Sequence, residues 1–352
     1  MARSYVGAGE SQAWRNSAAT HHRTDLCQNS GVPVKTGPLL VLDTASLYYR
    51  SFHAMPSSMT APDGSPNGAV RGFLGTLARL IEVHRPSGVV AGWDADWRPA
   101  WRVALMPTYK THRLADAGSG AEEADAEEAP DDLGPQVDGI ADVLDALGLP
   151  RWGAPAHEAD DVLASLSVQS DLWPGTAQEC IVVSGDRDLV QLITDRVRLL
   201  LTVNGGMEAW PLLDPQAANA RFGVTPAQYV DMAVLRGDPS DGLPGVAGIG
   251  AKTAVSLIAQ YGDLDALVAA AHAEPVVRPL TPRIAERLRQ AHEELGRARA
   301  VTTAVRDLPL PGPVPSTGAW VTDEPALADV AERWGVERQV EQVRRAVVAL
   351  DD

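Results

Sequence analysis

Seven acidic residues in this chain have the spacing of a cation site. Asp43, Asp94 and Asp186 each close an apolar run of strand length, PLLVLD, GVVAGWD and CIVVSGD, and Asp188 lies two residues beyond Asp186. In HEADDVLA, Glu158 and Asp161 are three apart, so a helix puts both on one face with Asp160 beside them. A single aspartate after a strand is ordinarily a helix N-cap. Three of them together with EADD and DRD are too many for caps. Packed carboxylates repel one another, so such a cluster needs protons or cations. An oxygen-only donor set suits hard ions such as Mg²⁺ or Mn²⁺. No histidines pair at zinc-ligand spacing, and His157 reads as a surface or capping residue. Two such ions roughly 4 Å apart can activate a water and stabilise the leaving oxygen of a phosphodiester. A phosphatase with an aspartate nucleophile needs a second aspartate after the first strand, and DTA lacks it.

Cations and rings stand nearby. Tyr49, Arg50 and His53 follow Asp43, and WDADWRPAWRVALMPTYKTHR supplies Trp97, Arg98, Trp101, Arg102, Tyr109, Lys110, His112 and Arg113. That mixture can neutralise phosphates and stack on unpaired bases. The stretch GDPSDGLPGVAGIGAKTA suggests a nucleotide loop, but Ala251 separates Gly250 from Lys252 and the preceding AQYVDMAVLRG is helical. A P-loop allows neither. Gly245, Gly248 and Gly250 instead permit a tight turn. The amides it exposes at the next helix N-terminus, with Lys252 and Thr253, suit a DNA phosphate.

These residues need a scaffold, and the pattern predicts one. Strands over PLLVLD, GVVAGWD, CIVVSGD and VRLLLTV alternate with helices over GAVRGFLGTLARLIEVH, VDGIADVLDALG, HEADDVLASLSVQ and DLVQLI. Alternation of this kind implies right-handed crossovers and a mostly parallel sheet covered on both faces. Ligands bind such sheets outside the carboxyl ends of the strands, where the aspartates converge. Beyond Thr225 the strand signal disappears. AQYVDMAVLRG, KTAVSLIAQYG, PRIAERLRQAHEELGRARAVTTAV and a final amphipathic stretch are helical. The expected organisation is a disordered extension over 1–37, an α/β core over 38–213, a helical region over 214–312 and a C-terminal helical segment over 313–352.

The chain has 352 residues, 45% apolar and 22% charged, with a net charge of -16. That charge argues against a passive nucleic-acid coat. Eight of the acids fall in LADAGSGAEEADAEEAPDD, residues 114–132, which has no lysine or arginine and is expected to be a loop. Without them the net charge is -8. Two distant cysteines fit neither a disulfide framework nor a cysteine zinc site and suggest a reducing compartment. No apolar run has membrane-spanning length, and the N-terminus has no secretory h-region.

In their order, LLVLDTASLYYRSFHA, GVVAGWDAD, WRVALMPTYKTHR, HEADDVLASL, VVSGDRDLVQL and GDPSDGLPGVAGIGAKTA resemble the bacterial 5′-nuclease family. Its members occur as the N-terminal domain of a DNA polymerase and as stand-alone 5′–3′ exonucleases. The resemblance implies a PIN-like or resolvase-like core, then a small helix–hairpin–helix-like DNA-binding domain. It implies two Mg²⁺ or Mn²⁺ ions held by Asp43, Asp94, Glu158, Asp160, Asp161, Asp186, Asp188, Asp238 and Asp241. Residues 97–135 match a helical arch from which Lys110 and Arg113 approach the scissile phosphate and Tyr109 and Trp101 face DNA. Arg50, His53 and Arg102 fall on the DNA track. Gly245, Val246, Gly248, Ile249, Gly250, Lys252 and Thr253 form the duplex grip, with the carbonyls of Val246 and Ile249 holding a K⁺ ion. The implied substrates are DNA 5′ ends, flaps and nicks, and RNA in RNA–DNA hybrids. A monomer in the bacterial cytoplasm, working on the nucleoid, is expected. The chain departs from the pattern at Gly242, where asparagine is usual, at Trp101, where a smaller aromatic is common, and in the acidic insert. Two other readings are a PIN-type ribonuclease, ordinarily shorter and without the glycine-rich helical module, and a non-catalytic DNA-junction binder.

Overall fold

The computed structural model describes residues 37–114, 129–175 and 177–350. The expectations for the N-terminal extension to residue 36, and for residues 115–128 of the acidic insert, lie outside the described residues. Six strands form one sheet: β1 (Leu39–Asp43), β2 (Gly88–Gly92), β3 (Arg151–Trp152), β4 (Cys180–Ser184), β5 (Val197–Leu201) and β6 (Leu212–Leu213). Their spatial order is β3-β2-β1-β4-β5-β6. Every pairing is parallel except β5 with β6. β1 is central, with Val41 between Val90 and Val182. All five of its residues are buried, as they must be when both faces of a sheet are covered.

The pleat sends alternate residues to opposite faces. Leu39 and Val41 join one core with Val90, Cys180, Val182, Val162 and Leu163. Leu40 and Leu42 join a second with Val89, Ala91, Ile181, Val183, Phe73 and Leu77. Twelve helices supply the covers among the described residues: α1 (Thr44–Ala54), α2 (Gly68–His84), α3 (Ala100–Leu105), α4 (Gly134–Leu147), α5 (Ala159–Val168), α6 (Pro215–Phe222), α7 (Tyr229–Arg236), α8 (Ala251–Tyr261), α9 (Leu264–His272), α10 (Pro282–Thr302), α11 (Glu324–Trp334) and α12 (Glu337–Val348). The first core continues into α5 and through α7, α8, α9 and α10. The second takes in α2 and α4, then α11 and α12, which return to the nucleus of the fold after the helical region.

Three local expectations need correction. β2 stops at Gly92 and β4 at Ser184, so Asp94 and Asp186 sit two residues beyond their strands, in the crevice loops. DLVQLI forms a 3-10 turn over Asp188–Leu192, because its five residues are too few for α-helical pairing to take hold. The sheet also has the two-residue strands β3 and β6 at its edges, too short to leave a periodic signal.

Candidate metal centre

The strand order turns back between β1 and β4, which makes the crevice above them the topological switch point of the sheet. A cleft of about 310 Å³ opens there, lined among others by Asp43, Asp94, Lys110, Arg113, Glu158, Asp160 and Asp186. Asp43 is the N-cap of α1, accepting from the Ser46 amide at 3.0 Å. It also accepts from the Ser184 hydroxyl, whose oxygen takes the Asp186 amide at 2.9 Å. Ser184 thus joins the two central strand ends. Asp94 accepts the Ala159 amide at 2.7 Å, tying the loop after β2 to the start of α5. Asp186 in turn accepts the Asp188 amide at 2.7 Å.

Glu158 is the N-cap of α5, and both of its oxygens are engaged. Lys110 donates to Oε1, while Tyr109 at 2.7 Å and Arg102 at 2.6 Å donate to Oε2. Lys110 has a left-handed backbone, φ 51°, and its side chain lines the cleft. The segment from Lys110 to Arg113 also docks on the loop carrying Asp238 and Asp241. The Lys110 amide donates to the Asp241 carbonyl at 3.1 Å. Arg113 donates to the Ser240 carbonyl at 3.0 Å and lies 3.3 Å from the Asp241 carboxylate. Asp238 takes Arg236 at 3.2 Å.

Charge crowding is severe. Burial, with the charges of Asp94 and Asp186 adding to it, pushes Asp43 up to about 7 despite its two hydrogen bonds. Burial and then Asp186 raise Asp160 well above the carboxylate range. Burial and then Asp241 raise Asp186, although that residue keeps solvent on one side. Asp188 is raised well above its ordinary value by burial and then Asp186. Glu158 is raised by burial, which outweighs Lys110 and Arg102 beside it. Burial opposes the charge on Lys110, but Glu158 and Asp241 more than offset it, and the amine is raised. Excess negative charge in an oxygen-only site is the condition a divalent cation relieves, so the donor set fits one. Among the described residues, no three His, Cys, Asp or Glu side chains stand close enough together to hold a metal ion as they are placed.

Several expected site residues lie elsewhere. Asp161 is fully buried and accepts Arg102 on both oxygens, at 2.7 and 2.8 Å, and the Val305 amide at 2.8 Å. Its carboxylate is spent on the scaffold and does not line the cleft. Arg102, 3% exposed, is not on a DNA-facing surface, because its guanidinium is needed by Glu158 and Asp161. Tyr109 is buried too and holds Glu158 instead of facing substrate. The Trp101 indole donates to the Ala156 carbonyl at 3.2 Å and stacks under Arg102. Arg50 is tied to the carbonyls of Val203 and Gly205, over the Trp210 ring. His53 is exposed near the end of α1. Asp188, Asp238 and Asp241 form a second acidic group beside the first, felt by Asp186 through charge but not among the residues lining the cleft.

In the glycine-rich stretch, Gly245 and Gly248 have φ of 66° and 81°. The Val246 carbonyl accepts the Ile249 amide at 2.9 Å, and both of those side chains are buried. Gly250 is the N-cap of α8, with Lys252 exposed and Thr253 half-buried in its first turn. Arg287 of α10 donates to the Ala247 carbonyl beside this turn. Arg287 is given no role in the sequence analysis, although Arg283 and Arg287 stand at the i, i+4 spacing of a shared basic face. Ser184, Arg236 and the scaffold role of Arg102 were also missed, and no spacing rule marks them.

Comparison with known proteins bears on the family and the fold. Residues 38–223 match the family model described as the 5′–3′ exonuclease N-terminal resolvase-like domain. Residues 224–320 match that of the 5′–3′ exonuclease C-terminal SAM fold. The chain is 45% identical over 312 residues to a 5′–3′ exonuclease of Streptomyces coelicolor, covering 88% of this chain and all of that protein. It is 41% identical over 322 residues to a 5′–3′ exonuclease of Mycobacterium tuberculosis, covering 89% and 98%. Its fold matches the bacteriophage T5 flap endonuclease, solved as a pseudo-enzyme–product complex with DNA and metal ions, at a TM-score of 0.56 and 16% identity over 89% of this chain and 99% of that one.

Proposed function

This chain belongs to the 5′–3′ exonuclease family, and we propose that it hydrolyses phosphodiester bonds at 5′ ends, nicks and flaps of DNA with two bound Mg²⁺ or Mn²⁺ ions. The observation that carries the reading is the cleft at the switch point, where Asp43, Asp94, Glu158, Asp160 and Asp186 face Lys110 and Arg113. Asp43, Asp94, Glu158, Asp160 and Asp186 would hold or orient one part of the metal pair, and Asp188, Asp238 and Asp241 the other. When bound, the ions lower the pKa of a water and offset charge on the leaving oxygen.

The chain's own residues do the rest. Lys110 and Arg113 reach the cleft from the arch base and offset negative charge on the phosphate as it becomes pentacoordinate. Tyr109 keeps Glu158 in place. The turn at Gly245–Gly250 and the first turn of α8 present amides and Lys252 to the duplex backbone. The carbonyls of Val246 and Ile249 offer that turn a K⁺ site. RNA in RNA–DNA hybrids is a second substrate in this reading, and the protein acts as a monomer in the bacterial cytoplasm. The helical module over residues 224–320 disfavours a plain PIN-type ribonuclease. The test offers 5′-labelled flap, nicked and blunt duplexes with Mg²⁺ to the wild type and to Asp186→Ala. Cleavage by the wild type and its loss in the variant are expected. A wild type that cuts none of the three would end the reading, and equal cutting by the variant would end the assigned metal site.

A further inference from the structure

Arg102 is buried at the meeting point of three segments. Its Nη1 lies 2.6 Å from Glu158 Oε2 and 2.8 Å from Asp161 Oδ2, its Nη2 2.7 Å from Asp161 Oδ1, and its Nε 3.1 Å from the Val301 carbonyl. The Val301 carbonyl belongs to the last turn of α10, where helix carbonyls lack intrahelical partners and the helix dipole is negative. Neutralising Asp161 would need only the paired contact. The additional bond to Glu158 Oε2, shared with Tyr109, leaves Oε1 as the oxygen that meets Lys110 and the cleft.

We propose that Arg102 is a positioning residue that fixes the rotamer of Glu158 for cation binding. Through Val301 it also fixes that carboxylate relative to the helical region that carries the duplex grip. It touches neither substrate nor cleft. A lysine cannot replace it, because one ammonium cannot span two carboxylates and a carbonyl in the planar fork a guanidinium provides. The proposal rests on the nuclease reading in taking Glu158 as a cation ligand.

The experiment compares the full chain with Arg102→Met, Arg102→Lys and the double variant Arg102→Met/Asp161→Asn, which leaves no unpaired charge at the Asp161 position. Mn²⁺ binding is read without DNA by the loss of the free-ion resonance signal. Flap cleavage is separated into kcat and KM, and melting temperature is recorded. Arg102→Met and the double variant should each bind Mn²⁺ about 10- to 100-fold more weakly, the usual range for partners that orient metal ligands, with a similar fall in kcat. KM for flap DNA should stay within about threefold, since Arg102 makes no DNA contact. The double variant should recover the melting temperature lost in Arg102→Met without recovering Mn²⁺ binding, and Arg102→Lys should not restore binding either. Should Arg102→Met not fold alone, the other two variants decide in the same way. Recovery of both stability and Mn²⁺ binding in the double variant would reduce Arg102 to a counter-ion and overturn the proposal. So would a raised KM with unchanged kcat and Mn²⁺ binding, the mark of a DNA contact. If the wild type cuts no DNA, the nuclease reading fails, while the DNA-free Mn²⁺ comparison still decides the role of Arg102.

Discussion

At Asp43 burial outweighs the hydrogen bonds of Ser184 and the Ser46 amide, and the carboxyl rises from its ordinary 3.8 to about 7. The folded protein therefore binds this proton more tightly than the unfolded chain does. The stability it contributes is fully present below the unfolded value and is lost as pH rises through about 7. Glu158, Asp160, Asp186 and Asp188 shift in the same direction. In EDTA the melting temperature should thus fall between pH 5 and pH 8, and Asp43→Asn should flatten that slope. Millimolar Mg²⁺ should reverse it, since a bound cation replaces the proton. A melting temperature that rises with pH in EDTA would contradict the crowding. Lys110 makes the complementary case. In the proposed reaction its ammonium would offset the charge that develops, so Lys110→Ala should lower kcat by about 10²–10³ with DNA affinity nearly unchanged. Single-turnover cleavage alongside an anisotropy titration checks both halves.

At the scale of elements, the Thr108–Lys110 turn and the Asp238–Asp241 loop meet through Gly242. Its φ is 72°, and a Cβ there would run into the Thr108 carbonyl, two residues before Lys110. Gly242→Ala should push the Thr108–Lys110 turn away and break the Lys110–Asp241 backbone bond, at a stability cost of about 1–3 kcal/mol. Cleavage should fall further than that loss of folded protein explains, which denaturation and activity curves on one preparation would show. The departure at Gly242 thus has a steric reason, and the sequence held only its symptom. β1, β2 and β4 were legible because strands buried on both faces read as unbroken apolar runs, and the acids at their ends were legible with them. Asp161 was not. Its three-residue spacing from Glu158 shows a shared helix face, but not that a buried guanidinium claims that end of it. Arg102 misled for the same reason: a cation among tryptophans looks alike whether it faces a phosphate or a carboxylate. The direction of a side chain came from contacts with residues far away in sequence, and local pattern carries none of these.

At the scale of the molecule, α11 and α12 lie beyond the matched residues yet complete the second core. Trp334 rests on Gly139, where a Cβ would collide with the indole, and Asn67 donates to the Trp334 carbonyl at 2.7 Å. Leu327, Val330, Val340 and Val343 are buried with them. A chain ended at Val321 would bare these contacts on α2 and α4, so it should unfold at much lower urea or collect in the insoluble fraction. Unchanged urea unfolding would show that the nuclease core stands alone. The same long return of the chain governs when the site comes into being. Arg102 waits for a carbonyl 199 residues further on, and Asp43 shares its charge field with Asp94 and with Asp186 beyond β4. Contacts across such loops close late, because their entropy must be lost before they give anything back. Divalent ions then have little to bind until folding is nearly finished, and they reward only the finished state. A half-made chain carries most of the acidic residues and has no means of cutting.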